Sequence, residues 1–75
     1  EDQSFVQNII NSLPEDYRII LILREIHDLT YEEIANVLDC SLGTVKSRLS
    51  RARKHFKDKL LAYKEQNLSF KRQAR

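Results

Sequence analysis

Apolar residues recur at helical spacing near the start of the chain. They occupy positions i, i+1, i+4 and i+5, which lie on one side of an α-helix. The pattern predicts a first helix from about Gln3 to Asn11, ending before Pro14. Its apolar positions are Phe5, Val6, Ile9 and Ile10.

A second helix is predicted from Pro14 to about Asp28. Proline is favoured in the first turn of a helix, where its missing N–H leaves no hydrogen bond unmade. The middle of this segment, residues 19–23, is apolar nearly all round, and Tyr17 and Ile26 extend the apolar surface. We therefore expect this helix to be the central one, against which the others pack.

A third, shorter helix is marked by its amino-terminal capping signal. Thr30 and Glu33 form the pattern T-x-x-E, in which each side chain accepts a hydrogen bond from the other residue's backbone N–H. An apolar face follows at helical spacing. The sequence therefore predicts a helix from about Tyr31 to Leu38.

The break after the third helix is very short. It covers residues 39–41, and Ser41 is a favoured N-cap for a fourth helix that starts at Leu42 or Gly43 and continues to about Glu65. Two helices joined by so few residues cross steeply, as in a helix-turn-helix unit. This unit is the first feature that points to DNA.

The composition agrees with a small all-α domain of four helices. Glycine and proline each occur once in 75 residues, and 32% of the residues are charged, which suits a helix-rich protein. We expect residues 1–65 to form the domain and the basic tail, residues 66–75, to be flexible. Leu68 and Phe70 are the tail's candidates for docking on a partner.

Cysteine usage and hydropathy argue against a disulfide-bonded, zinc-binding or membrane protein. The single cysteine, Cys40, cannot form an intrachain disulfide, and no Cys/His cluster offers a closed zinc site. The longest apolar run, residues 19–23, is far shorter than the roughly 20 residues of a membrane span, and no signal peptide is visible. We expect a cytoplasmic protein without a cofactor and, because the first residue is not Met, a piece of a longer chain.

Charge is divided unevenly between the two halves of the chain. Residues 1–40 contain nine acidic and two basic residues, a net charge of −7, whereas residues 41–75 contain two acidic and eleven basic residues, a net charge of +9. Such asymmetry favours nucleic acid or another polyanion as the partner of the second half. The alternative is a dipolar protein whose halves attract each other.

The fourth helix separates its apolar, small and basic residues onto different sides at about 100° per residue. The stripe expected to be buried consists of Val45, Leu49, Ala52 and Phe56. The opposite side carries Gly43, Ser47, Ser50 and Lys54. One flank has Lys46, Arg53 and Lys57, and the other has Thr44, Arg48, Arg51 and His55.

The basic residues of this helix are predicted to have no partners within it, since no acid occurs between Asp39 and Asp58. Like charges disfavour a helix, so either the acidic first half folds against them or phosphates bind them. The small residues opposite the core would let the helix enter a major groove about 12 Å wide. This arrangement favours a DNA-recognition helix over a merely solvated one.

Residues 13–60 strongly resemble the C-terminal promoter-binding domain, region four, of bacterial sigma factors, especially the extracytoplasmic-function group. The motifs that carry the resemblance are LP before a hydrophobic helix, the segment LTYEEIA, and GTVKSRLSRAR. Asp39 stands where helix-turn-helix units often have glycine, but aspartate tolerates a left-handed backbone better than most residues do.

The resemblance implies binding to the −35 promoter element, which directs RNA polymerase to transcription initiation. The positions implied to face bases or adjacent phosphates are Lys46, Ser47, Ser50 and Arg51. The positions implied to bind or approach the DNA backbone are Thr44, Arg48 and Arg53, and we expect Lys54 and Lys57 to join them. Ser50 lies where some relatives have a larger side chain, so the base preference does not carry over.

The resemblance also implies protein partners. These are the β-subunit flap of the RNA polymerase core, for which we expect a surface between the first and third helices near Phe5, Ile9 and Val37, and an anti-sigma factor. Two alternatives to promoter binding stay open. One is a protein-interaction module held by an anti-sigma factor, and the other is the helix-turn-helix of a different transcription regulator.

The sequence does not indicate an enzyme. His27 and His55 lie on separate predicted helices, and no nucleophile and acid are placed beside them by spacing. The capping box explains Glu33, and exposure explains Glu32. Cys40 precedes a basic helix, but we expect it to fill a small apolar gap rather than act as a redox sensor.

Overall fold

All the regular secondary structure in the residues that the structure describes is helical. The computed structural model gives the backbone of residues 2–74 and the side chains of residues 5–65. Within that range the elements are α1 (Asp2–Asn11), α2 (Glu15–Leu21), α3 (Tyr31–Leu38) and α4 (Leu42–Ala74). A single turn of π-helix, Ile22–Ile26, continues α2 and is called the π-turn below. These bounds confirm the predicted all-α fold with a long C-terminal helix.

The core forms where α2 packs against α4, with α3 and α1 closing its sides. Ile20 of α2 and Ile34 of α3 are completely buried, and Tyr17 and Leu23 pack around them. The second helix is therefore central, as its apolar middle predicts. The other buried residues are Ile9, Ile10, Leu13, Leu21, Val45, Leu49 and Ala52.

The second helix does not continue as regular α-helix to Asp28, which corrects the sequence prediction. The backbone N–H of His27 donates to the carbonyl oxygen of Ile22 at 3.1 Å, a bond between residues five apart. The wider turn changes the angular position of the residues that follow it. Ile26, which was expected to extend the core, ends this turn and is 54% exposed.

The capping signals predicted around α3 are confirmed. Thr30 Oγ1 accepts from the Glu33 N–H at 3.1 Å, and Glu33 Oε1 accepts from the Thr30 N–H at 2.8 Å. Asp39 ends α3 in the left-handed conformation, with φ 54° and ψ 53°. Ser41 Oγ then accepts from the Thr44 N–H at 3.1 Å at the start of α4. The left-handed backbone of Asp39 and the side-chain cap of Ser41 thus define the turn between α3 and α4.

The fourth helix extends further than the sequence analysis predicted. Its expected end near Glu65 is wrong, because the backbone stays helical to Ala74. No glycine or proline follows Gly43 to interrupt it. The docking role expected of Leu68 and Phe70 concerns side chains outside the described residues, and the flexibility of residues 66–75 stays a prediction.

We expect Thr30→Ala to lower the free energy of unfolding by about 1 kcal/mol, because it removes the acceptor for the Glu33 N–H. Urea denaturation followed by circular dichroism measures the change. Ser50→Ala is the matched control, since Ser50 is exposed within α4 and should change stability by no more than about 0.5 kcal/mol. An equal decrease in the free energy of unfolding for the two variants would contradict a stabilising role for the capping box.

Candidate nucleic-acid interface

One stripe of α4 is buried and determines which side of the helix faces solvent. Val45 and Ala52 are fully buried, and Leu49 is 1% exposed. Phe56, the last member of the predicted stripe, is half-buried against the same core. Since a helix buried along one stripe cannot rotate freely, the residues opposite that stripe face outward.

The outward side presents small residues near the amino terminus of α4. Gly43, Ser47 and Ser50 are all exposed. A Cβ atom added to Gly43 would have Ser41 Oγ as its nearest neighbour, at 3.9 Å. Packing within the protein therefore does not require glycine at this position, and a ligand can approach the helix backbone closely here.

Cationic side chains lie on both sides of the small residues. Lys46, Arg51 and Lys57 are exposed, and Arg48 is half-buried. Thr44 is also half-buried and accepts a hydrogen bond from the Ser41 hydroxyl at 2.9 Å. All of these predicted contact residues thus lie outside the buried stripe, as the helical spacing predicts.

Two of the predicted phosphate contacts are paired with carboxylates. Arg53 Nη2 lies 2.9 Å from Glu25 Oε2, and this hydrogen bond raises the pKa of the Arg53 guanidinium above its ordinary value. Lys54 Nζ lies 3.4 Å from Asp58 Oδ2 one turn later. The expectation that the cations of α4 have no partner in their own helix is therefore wrong for Lys54. For Arg53, the acidic first half supplies the partner.

A cluster beside Arg53 joins the π-turn, α3 and α4. The Arg24 guanidinium carbon lies 5.5 Å from the centre of the Tyr31 ring, and Arg24 Nη1 donates to the carbonyl oxygen of Leu29 at 2.9 Å. Tyr31 also contributes to the raised pKa of the Arg53 guanidinium. Sequence analysis missed this cluster, because no spacing along the chain shows which side chains the π-turn brings to α4.

An apolar cavity of about 360 Å³ lies between α1, α2 and α4. Its walls are Val6, Ile10, Leu21 and Phe56, and its polar residues are Glu25 and Arg53. Concave, mostly apolar sites with a few polar groups at one side are typical binding sites. The cavity is therefore a candidate for receiving apolar side chains of a partner.

The apolar surface expected between the first and third helices is not formed by the described residues. α1 packs against α2 and α4, whereas α3 packs against the π-turn and α4. The Phe5 ring lies 4.1 Å from the Tyr63 ring, Ile9 is buried, and Val37 is 60% exposed on α3. These residues therefore do not form the surface that the sequence suggested.

Comparison with protein families assigns the domain. Residues 6–56, most of the chain, match the family model described as Sigma-70, region 4. The chain belongs to the Sigma-70 region 4 family. Region 4 is a DNA-binding domain without enzymatic activity, and the match excludes the helix-turn-helix of an unrelated regulator.

The relatives of this region 4 domain include extracytoplasmic-function sigma factors. The ECF RNA polymerase sigma-E factors of Escherichia coli (strain K12) and Salmonella typhimurium (strain LT2) are 48% identical to it over 60 residues, which is 80% of this chain and 31% of theirs. The sigma-E factor of Haemophilus influenzae is 43% identical over 60 residues, 80% of this chain and 32% of its own. The chain thus spans about a third of the length of these relatives.

Other chemically interesting groups of the region 4 domain are an aromatic pair and a free thiol. The His55 ring lies 4.9 Å from the Tyr17 ring, and Cys40 is a half-buried free thiol. No group of three or more metal-ligating side chains occurs among the described residues. Over the same part of the chain, no helix has both the length and the hydrophobicity of a membrane span.

We expect Gly43→Ala to stabilise the region 4 domain by up to about 1 kcal/mol, because alanine favours the helix and its methyl group has space. The same variant should bind duplex DNA more weakly if DNA approaches the helix at this position. Chemical denaturation and fluorescence anisotropy measure the two effects. Asn8→Ala, on the exposed side of α1, is the control that should leave DNA affinity unchanged.

A lower stability for Gly43→Ala would contradict the space seen around Gly43. An unchanged DNA affinity would contradict close approach of DNA to this turn of α4.

Proposed function

We propose that this region 4 domain binds the −35 element of a promoter as the C-terminal domain of an extracytoplasmic-function sigma factor, and so directs RNA polymerase to a transcription start site. One observation carries the proposal: α4 has a fully buried stripe and, opposite it, an exposed surface of small residues flanked by cations. A helix of this form, following a tight turn, enters the major groove in helix-turn-helix proteins.

Four residues are proposed to face base edges or the adjacent phosphates. They belong to the first three turns of α4, the part of a recognition helix that lies deepest in the groove. Lysine and arginine donate to guanine, and serine hydroxyls donate to or accept from any base edge. These residues are Lys46, Ser47, Ser50 and Arg51.

A second group is proposed to contact the DNA backbone, which positions the domain and supplies affinity rather than specificity. Lys57 is exposed and extends along the outward side. To bind a phosphate, Lys54 would have to break its ion pair with Asp58. Arg53 would likewise have to break its ion pair with Glu25. The full set is Thr44, Arg48, Arg53, Lys54 and Lys57.

The apolar cavity is proposed to hold the polymerase flap. Its floor is formed by Leu21, Ile10 and Phe56, and the 38% exposed Val6 stands at its edge. A partner that buries apolar side chains there would leave the outward side of α4 uncovered. Tethering to polymerase would raise the effective concentration of the domain at the promoter without any new DNA contact.

An anti-sigma factor is proposed as the partner that opposes DNA binding. The cationic residues of α4 form a surface that an acidic protein can cover as well as DNA can. Such a partner would compete with promoter DNA for Arg51 and its neighbours. Release of labelled duplex DNA by the purified anti-sigma factor would support this role, and simultaneous binding of both would contradict it.

We expect Arg51→Ala to weaken binding to the cognate promoter by about 1–3 kcal/mol and to reduce discrimination between sequences. Lys57→Ala should weaken binding to all sequences alike and lower the salt dependence by about one phosphate contact. Fluorescence anisotropy with a cognate duplex, selected from a random pool, and a scrambled duplex separates the two effects. If Arg51→Ala lowered the affinity for both duplexes equally, that result would falsify the role of Arg51 in base recognition.

We expect Val6→Glu to weaken binding to purified polymerase core by about tenfold or more, because it would bury an unpaired carboxylate in the apolar interface. Its affinity for duplex DNA should remain close to that of the wild type. Val37→Glu is the matched control, since it makes the same change on the exposed surface of α3. A greater loss for Val37→Glu than for Val6→Glu would place the polymerase contact on α3 instead of at the cavity.

A further inference from the structure

The Glu25–Arg53 pair is a long-range ion pair that joins the acidic first half of the chain to the cationic helix. Its atoms lie 2.9 Å apart, with the two residues 28 positions apart in sequence. The Glu25 and Arg53 side chains are 51% and 49% exposed. Both also border the apolar cavity. The pair therefore lies between the proposed polymerase site and the proposed DNA face.

The π-turn gives Glu25 its position. A bond between residues five apart inserts extra backbone into the turn, which shifts later residues by about 100° around the axis relative to a regular α-helix. Glu25 lies within this turn, and its carboxylate reaches α4. Single π-helical turns occur frequently at functional sites, and here the turn places a carboxylate beside a proposed phosphate contact.

Arg53 lies closer to the body of the protein than the central outward residues do. At about 100° per residue it is roughly 80° from Val45 around α4, whereas Ser47 and Lys54 are about 160° to 180° away. A guanidinium on this flank can turn toward a phosphate or toward the cavity. The hydrogen bond to Glu25 selects the cavity side.

We propose that Glu25 is a positioning residue that holds the Arg53 guanidinium at the cavity edge and so withholds one cation from the DNA backbone. The inference rests on the proposed function, because it assumes that α4 binds duplex DNA. Its consequence is lower affinity for DNA of any sequence. The contacts of Ser47 and Arg51, which lie further toward the outward side, are unaffected.

The pair contributes little to the stability of the fold. Ion pairs exposed to this degree change an equilibrium constant by no more than about fivefold, which corresponds to roughly 1 kcal/mol. The core around them is apolar and fully buried at Ile20, Ile34 and Val45. Removing the carboxylate therefore leaves the fold intact while it releases Arg53.

A double-mutant cycle tests the proposal. Wild type, Glu25→Gln, Arg53→Gln and the double variant are titrated with a scrambled duplex over a range of salt concentrations, with fluorescence anisotropy as the signal. Glu32→Gln is the matched control, because it removes the same charge from an exposed position on α3. Thermal unfolding of every variant establishes that each is folded.

The expected result is up to about fivefold tighter binding by Glu25→Gln, with a plot of log K against log salt that is steeper by about 0.9. The double variant should bind the duplex with the same affinity as Arg53→Gln. Glu32→Gln should increase the affinity by less than Glu25→Gln does. Three results would overturn the proposal. One is an increase in DNA affinity on Glu25→Gln that also occurs when Arg53 is replaced. Another is an equal increase in affinity for Glu32→Gln. The third is a plot of log K against log salt that is flatter by about 0.9 for the single variant Arg53→Gln than for the wild type.

The cycle is independent of promoter recognition, because it uses the scrambled duplex. Equal wild-type affinity for the cognate and scrambled duplexes would contradict the proposed −35 recognition. The comparison of the variants would still decide the role of Glu25.

Discussion

Burial of the Val45–Leu49–Ala52 stripe against α2 and α3 is the constraint on which the other features depend. A domain of this size buries only about 60% of the surface of its unfolded chain, so few contacts hold each helix. These three residues are 1% exposed or less, and they fix the rotation of α4 about its own axis. That rotation places Gly43 and Ser47 outward. The turn between α3 and α4, with Asp39 in the left-handed conformation, sets the direction in which α4 then runs.

Local chemistry in the sequence predicts the helix-turn-helix and its outward surface well. Capping by Thr30 and Ser41 depends on residues three apart, and the buried stripe depends on a fixed helical period, so both can be inferred without a three-dimensional structure. The π-turn and the Glu25–Arg53 pair could not be predicted in this way. Both depend on how α2 packs on α4, and an ion pair between residues 28 apart has no signature in local spacing.

The expectation of an apolar surface shared by α1 and α3 near Val37 was wrong for a related reason. Periodicity shows that a helix has an apolar side, but it does not show which other helix covers that side. α1 covers α4 and α2 and leaves a cavity beside Phe56, so the apolar opening occurs at a junction of three elements. The prediction that α4 ends near Glu65 was wrong for a different reason. Apolar periodicity is lost near Glu65, but the backbone continues as helix to Ala74 without it.

The division of α4 into inward and outward positions has a consequence for how such domains diversify. Exchanges at Ser47, Ser50 or Arg51 leave the contacts of Leu49 and Ala52 unchanged, since neighbouring positions point to different sides of the helix. Under the proposed function, promoter preference can therefore drift, or be redesigned, without a search for compensating core mutations. Several regulators that each bind a different promoter can then be built on this one scaffold by altering a few solvent-facing positions.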